Sequence, residues 1–300
     1  MILAIDIGGT QFRLAVVNPD GKLIKVVRRS TDVDAGADWM IDQVLALSTN
    51  LCRRFDIASA GIGFGGPVDF VSQRVINSTH VAGWDDVNLP GIISRELNVR
   101  AVVDNDANAG AFGEFTFGAG KGLKSIIYYT VSTGIGGGII LDGKVFRGSN
   151  GNAGELGHVP ILVDAPLCAC GNVGCLESLC SGPAIAARAA DEIHGFADRI
   201  TAKDVFDLAK QGNRGAARIV RQTADYLGMG IAAAINTLAP EMVIVGGGVS
   251  KAGRGLFDPL RRSVKSRVMP VHRPFVRIVR ARRGDHSVLL GAAAMAASLD

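Results

Sequence analysis

Nowhere in its 300 residues does the chain hold an uninterrupted apolar run of the roughly 18 residues that a membrane-spanning helix needs. Its first residues, MILAIDIGG, carry no basic stretch of the kind that opens a secretory signal. No membrane partner is expected, and the cytoplasm is the expected location. No low-complexity tract, charge block or linker interrupts the sequence, so nothing marks a disordered tail or a flexible tether. The net charge is only +4. Arg261, Arg262, Arg277, Arg280, Arg282 and Arg283 are interspersed with apolar residues, which reads as solvated helix and strand faces rather than a nucleic-acid footprint. A Walker P-loop, G-x-x-x-x-G-K-[ST], is absent, so any nucleotide is held by other means. There is no disulfide framework either: the five cysteines are odd in number, and Cys168, Cys170, Cys175 and Cys180 crowd into one region, a pattern that suits metal binding in a reducing compartment.

With 48% hydrophobic residues, 20% charged residues and 39 glycines, the composition is that of a compact α/β protein. Residues 2–7 and 12–17 are apolar, β-branched runs joined by GGTQ, and Asn18-Pro19-Asp20-Gly21 makes a second turn before Lys22–Val27. Residues 126–131 and 138–141 repeat this meander, with STGIGG and Asp142-Gly143 as its turns. This internal duplication predicts two related α/β domains of roughly 120 to 150 residues each. Helices are expected near 38–54, 183–194, 201–211, 214–238, 252–266 and 286–298. Strands are expected near 57–64, 100–106, 242–247 and 275–281.

Three glycine clusters invite an anion or a nucleotide. Asp6-Ile7-Gly8-Gly9-Thr10 forms a turn whose backbone N–H groups can face an anion, with the Thr10 hydroxyl as a further donor and Asp6 as a carboxylate for Mg²⁺; a plain hairpin explains it equally well. Ser132-Thr133-Gly134-Ile135-Gly136-Gly137-Gly138 is longer and richer in hydroxyls than a hairpin requires, which makes a paired phosphate clamp plausible. Gly246-Gly247-Gly248 ends a buried strand, where backbone can approach a nucleoside, although close packing explains it almost as well. Gly61-Ile62-Gly63-Phe64-Gly65-Gly66 fits G-x-G-x-x-G, but Pro67-Val68-Asp69 continues as extended chain, so it fails the structural condition for a dinucleotide site.

Two further segments carry chemistry. Asp104-Asn105-Asp106 lies where an apolar strand gives way to a helix, the place where open α/β sheets bind ligands. One aspartate of the pair can serve simply as the helix N-cap, but three polar residues exceed that need. An Asp there can act as base toward a substrate hydroxyl. Between Glu155 and Glu177, His158, Cys168, Cys170 and Cys175 supply the Cys₃His set of a closed, tetrahedral zinc site. Glu155 and Glu177 are fixed by whatever orders those ligands.

Together these motifs resemble the ROK family of bacterial sugar kinases, in the superfamily of actin and hexokinase. DIGGT at 6–10, DNDAN at 104–108, STGIGGG at 132–138, ELGH at 155–158, CACGNVGCLE at 168–177 and VGGGV at 245–249 follow the family's order. The resemblance implies an α/β fold of two actin-like, ribonuclease H-like domains flanking a cleft, divided as 1–108 plus 286–300 and 109–285, with the zinc loop at 155–177 in the second. It implies ATP clamped by Asp6, Gly8, Gly9, Thr10, Ser132, Thr133, Gly134, Gly136, Gly247 and Gly248. Asp106 is implied as general base, with Gly65, Gly66, Asn105, Asp106, Glu155, His158 and Glu177 around the sugar. One ring nitrogen of His158 would bind zinc while the other faces a sugar hydroxyl. A homodimer or a dimer of dimers is implied as well. Gln11 departs from the lysine many members carry after GGT, and the first hairpin starts at Asp6 with no DNA-binding helix-turn-helix ahead of it, so no nucleic-acid partner is expected. GFGGPVD at 63–69 and AGWDDVNLPG at 82–91 look most like glucokinase members; N-acylmannosamine kinase, fructokinase and allose kinase are the near rivals, with polyphosphate as a possible donor. A sugar-sensing protein without catalysis is the alternative of another class, against which intact Asp6 and Asp106 argue.

Overall fold

In the computed structural model, residues 1–78, 80–193 and 200–299 are described. Strands β1 (Ile2–Ile7), β2 (Gln11–Val17) and β3 (Leu23–Ser30) form an antiparallel meander, followed by helix α1 (Gly36–Cys52) and strand β4 (Ser59–Phe64). A small hairpin, β5 (Val68–Asp69) and β6 (Arg74–Val75), precedes α2 (Leu89–Leu97), β7 (Arg100–Asn105) and α3 (Asp106–Phe117). The plan then repeats. Strands β8 (Ile126–Val131), β9 (Ile135–Leu141) and β10 (Lys144–Val145) form a second meander. Four helices follow: α4 (Leu176–Cys180), α5 (Gly182–Glu192), α6 (Ala202–Lys210) and α7 (Arg214–Leu238). The chain closes with β11 (Met242–Gly246), α8 (Arg254–Arg267), β12 (Ile278–Arg280) and α9 (Ser287–Ala297).

The two five-stranded sheets run β3-β2-β1-β4-β7 and β10-β9-β8-β11-β12, the same order in each half. In both, the meander is antiparallel and the last two strands join in parallel. The duplication visible in the sequence is therefore a duplication of topology. The expected helix at 183–194 is α5, whose residue 194 lies outside the described residues. The strand expected over 275–281 is shorter, because Pro270 and Pro274 hold 270–275 in 3-10 turns. None of the helices, among the described residues, is long and apolar enough to cross a membrane.

All of β1 is buried because helices cover both faces of its sheet, the condition under which a strand reads as a continuous apolar run. Leu3, Ile5 and Ile7 face Met40, Ile41 and Val44 of α1 and Ile93 of α2. Ile2 and Ala4 point to the other face, against Leu289, Leu290 and Ala293 of α9. In the second sheet Ile127, Tyr129 and Val131 face α4, α5 and α7, while Ile126, Tyr128 and Ile140 face Ala111 of α3. Helices α3 and α9 thus fill the space between the sheets, and the closing helix has returned to the first one.

Glycine makes this middle layer thin. A Cβ on Gly291 would lie 1.6 Å from the carbonyl oxygen of Ala109, and one on Gly113 2.1 Å from that of Ser287, so α3 and α9 cross with their backbones in contact. Gly61 of β4 admits Ala292 of α9, and Gly138 of β9 admits Ala107 of α3, by the same close approach. The fully buried Glu114 of α3 fixes the crossing. Its carboxylate accepts the backbone N–H groups of Arg282 (3.0 Å), Arg283 (2.6 Å) and Ala119 (2.9 Å) and the hydroxyl of Ser287 (2.7 Å).

Since the atom opposing a new methyl at 291 is backbone and cannot rotate away, Gly291→Ala is expected to lower the unfolding free energy by about 2 kcal/mol or more. Urea denaturation followed by circular dichroism measures this, and a loss below about 0.5 kcal/mol would show that the helices slide apart at little cost.

Candidate functional site

The first glycine turn is tighter than its sequence suggests. Only Gly8, Gly9 and Thr10 separate β1 from β2, and the Gly8 N–H is spent on the carbonyl of Gln11 at 3.1 Å. Neither Gly8 nor Gly9 adopts a positive φ. Gly9 is required for space: a Cβ there would lie 2.7 Å from the ring of His80, a neighbour the sequence did not suggest.

The second turn corrects its expectation in the same way. It is Ser132-Thr133-Gly134 alone, because β9 already begins at Ile135 and pairs Ile135 with Val131. Gly136, Gly137 and Gly138 are strand residues opposite Thr130, Tyr129 and Tyr128. Gly136 lies against Ala107 of α3, with the would-be Cβ 3.0 Å away, and serves packing rather than a cradle. In this turn Ser132 N–H bonds to Gly134 O at 2.8 Å, and Ile135 N–H donates to the Glu177 carboxylate at 2.7 Å. No motif points to Glu177 as the buttress of this turn.

A cavity of about 680 Å³ opens beside the second turn. Ser132, Thr133 and Gly248 line it, as do Gly182 and Pro183 at the start of α5, Thr201, Lys203 and Phe206 of the α6 region, and Lys251. Gly247, next to Gly248, is half-buried and does not line the cavity; its φ is +79° and a Cβ there would lie 2.3 Å from Val131 O. The α5 and α6 contributions were invisible to motif reading, since nothing but folding brings residues 182–206 beside 132 and 248. Asp6, Gly8, Gly9 and Thr10 belong to the other sheet and do not line this cavity.

Asp6 is buried and has a partner. Arg13 binds its Oδ2 through both Nε and a terminal nitrogen, and the same guanidinium reaches the carbonyl of Asp285. The hairpin register, Asp6 opposite Arg13, is the sequence signal for this pair. Arg13 brings to the first turn the positive charge that Gln11 does not. Burial, partly offset by Arg13, still raises the Asp6 carboxyl above the ordinary range.

At Asp104-Asn105-Asp106 the structure gives each residue a different job. Asn105, rather than either aspartate, is the N-cap of α3: its Oδ1 accepts the N–H groups of Ala107 (2.9 Å) and Asn108 (3.3 Å), and its Nδ2 donates to Gly66 O (3.0 Å). Asp104 turns away into an ion pair with Arg147, at 3.0 Å and 2.6 Å, and accepts from Asn108 Nδ2 at 3.0 Å. Arg147 comes from the end of the second meander and lies 3.5 Å over the ring of Phe70, so this pair ties the two halves together. Asp106 is the first residue of α3, and a Cβ on Gly65 would lie 3.5 Å from its carboxylate and 3.1 Å from Ile7 O. The bare backbone at 65 is what leaves room in front of Asp106. Burial above all, then the charge of Asp6 and more weakly that of Glu155, raises the Asp106 carboxyl to about 7.

The cysteine segment folds back as its spacing predicts. Gly171 and Gly174 take φ of +91° and +74°, so the chain reverses twice between Cys168 and Cys175. One ligand atom from each of His158, Cys168, Cys170 and Cys175 lies within 4.8 Å of all the others. His158 Nδ1 is 3.5 Å from Cys168 Sγ, and Cys170 Sγ is 3.6 Å from Cys175 Sγ. Those separations are close to the ~3.8 Å edge of a zinc–thiolate tetrahedron with bonds of about 2.3 Å. The other nitrogen, Nε2, points away to Glu155 at 3.9 Å. Cys180 is core, its thiol donating to Thr223 O, and Cys52 packs at the edge of the α1 core.

The family model of the ROK family matches residues 2–298. This chain belongs to the ROK family. It is 34% identical to the glucokinase of Thermotoga maritima over 98% of this chain and 96% of that protein. It is also 34% identical to the xylose repressor of Caldicellulosiruptor bescii, over 99% of this chain and 78% of that one. Among solved structures, the ROK family glucokinase from Streptomyces griseus in complex with glucose and AMPPNP superposes with a TM-score of 0.88 at 32% identity, covering 99% of each chain. Two α/β domains are thus common to this chain and its ROK relatives.

The crowding of Asp106 is open to measurement. Its carboxyl is expected to titrate near pH 7 in a carboxyl-carbon NMR experiment, and Asp6→Asn, which removes a like charge and frees Arg13, is expected to lower that midpoint. A midpoint near 4 in the unsubstituted protein would show a carboxyl in open water.

Proposed function

We propose that the chain is an ATP-dependent hexokinase of the ROK family, a glucokinase, converting D-glucose and ATP to D-glucose 6-phosphate and ADP. The observation that carries the reading is the Asp106 carboxyl, raised to about 7 and facing the space that Gly65 leaves open. A base with that affinity for protons is matched to its work near neutral pH. Asp106 takes the proton of the sugar 6-hydroxyl as that oxygen bonds to the γ-phosphorus and the bond to the ADP oxygen breaks. Gly65, Gly66, Asn105, Glu155, His158 and Glu177 hold the remaining sugar hydroxyls. The cavity beside Ser132, Thr133 and Gly248 takes the nucleoside, and the two turns, through the amides not spent within them, face the phosphates. Mg²⁺, when bound, neutralises phosphate charge, and Asp6 would hold it through the oxygen that Arg13 leaves open. Lobes of 1–108 with 286–300 and of 109–285 would close on the sugar and exclude water. Zinc, held by His158 Nδ1, Cys168, Cys170 and Cys175, would orient the His158 ring and the segment that carries Glu155 and Glu177.

A coupled assay with ATP, Mg²⁺ and glucose, N-acetylmannosamine, N-acetylglucosamine, mannose or fructose tests the reading. Glucose is expected to give the highest kcat/KM, falling about tenfold per pH unit below 7 as Asp106 takes up a proton. Asp106→Asn should cost on the order of 10²-fold or more in kcat. Sugar binding with no turnover on any substrate would instead mark a sugar-responsive protein, the direction in which the xylose repressor relative points.

For the metal, elemental analysis of protein purified without chelator is expected to give one zinc per chain. Cys170→Ser is expected to lose that zinc and weaken glucose binding together. Zinc loss with unchanged glucose affinity would separate the metal from the sugar surface.

A further inference from the structure

A second cavity, of about 450 Å³, is lined by none of the residues placed above around sugar, nucleotide or metal. Its walls are the β2–β3 turn, Asp20 to Leu23, and the segment that leads into α9, with Arg282, Arg283, His286 and Leu290. Three permanent or near-permanent cations, Lys22, Arg282 and Arg283, face one opposing carboxylate, that of Asp20. Asp20 is engaged by Asn18 Nδ2 at 3.3 Å. Arg283 spends one donor, Nε, on Phe117 O. The side chains of Lys22 and Arg282 form no ion pair among the described residues. His286 Nδ1 is enclosed and finds no hydrogen-bond partner among the described residues.

Cations gathered in one concavity repel each other, and an anion between them relieves that repulsion. The surroundings are positive as well: burial first, then Arg13 and Arg28 against the opposing charge of Asp285, hold the His286 imidazole below its ordinary pKa. The frame is rigid where it matters, because Glu114 grips the backbone N–H groups of Arg282 and Arg283 and the hydroxyl of Ser287, one residue beyond His286. The two arginines therefore leave a fixed backbone toward the cavity mouth, and guanidinium groups match the oxygens of a phosphate in pairs.

We propose that this cavity binds a small phosphate-bearing anion, with Lys22, Arg282 and Arg283 on its oxygens and the His286 ring on its wall. Either inorganic phosphate or a phosphomonoester meets that chemistry. Bound there, the anion joins the β2–β3 turn to the N-terminus of α9, the helix that crosses α3 between the two sheets.

Calorimetric titration of the full chain with inorganic phosphate and with glycerol 3-phosphate tests the site and its source, the tighter ligand naming the class. Lys22→Ala/Arg282→Ala is expected to weaken binding of that ligand at least about tenfold, while Lys22→Arg/Arg282→Lys retains it, circular dichroism confirming that both variants are folded. Equal affinity in the alanine variant and the parent would overturn the proposal. Crystals soaked in selenate are expected to show anomalous density between Lys22, Arg282 and His286; density confined to the space between the lobes, or none, would overturn it as well.

Discussion

The crossing of α3 and α9 is the constraint on which the rest of this molecule depends. Two sheets of identical topology can share one middle layer only if the helices between them approach closely. Gly113 and Gly291 let backbone meet backbone, and Gly61 and Gly138 let each helix sit down on its own sheet. A helix that begins at Asp106 under these conditions has little freedom to shift. Its first turn is held by Asn105, by the Asp104–Arg147 pair and, toward its far end, by the four bonds of Glu114. Precision at the Asp106 carboxylate is thus inherited from packing rather than supplied by the loop around it.

Charge is arranged on that frame with evident economy. Asp6 and Asp106 share a buried region in which two free carboxylates would be costly. Arg13 offsets one of them, and the other carries the burden as a raised proton affinity. Had Arg13 paired with Asp106 instead, that carboxyl would be a poor base near neutrality, because a guanidinium partner stabilises the charged form. The division depends on one residue of register: Asp6 and Arg13 are direct partners across β1 and β2, whereas Asp106 enters from a different strand end.

Motif reading found this site unevenly, for physical reasons. Contiguous signals survived: the two meanders, the helix at 214–238 and the four ligand positions from His158 to Cys175 are local in sequence and appear where spacing put them. What failed was the inference from glycine to cradle. Gly136 and Gly138 are small because α3 lies on them, and no local pattern separates a glycine that faces a phosphate from one that faces an alanine of α3. Cross-chain partners were equally hidden. Arg147 stands 43 residues from Asp104, and the walls of the cavity beside the second turn come from separate segments spread between Ser132 and Ala252. Arg13 was missed too, although its signal was local: hairpin register alone sets it opposite Asp6.

The position of Glu177 ties the cysteine segment to the second glycine turn. One carboxylate oxygen accepts the N–H of Ile135, the residue that closes the Ser132-Thr133-Gly134 turn, and the same glutamate stands two residues after Cys175 in the cysteine segment. The strand β9 that Ile135 opens lies on α3 through Gly136 and Gly138, and α3 begins at Asp106. The cysteine cluster, the second glycine turn and the Asp106 carboxylate are therefore linked by a continuous path of one hydrogen bond, one strand and one helix. A disturbance of the cysteine loop is transmitted to the second turn through Glu177.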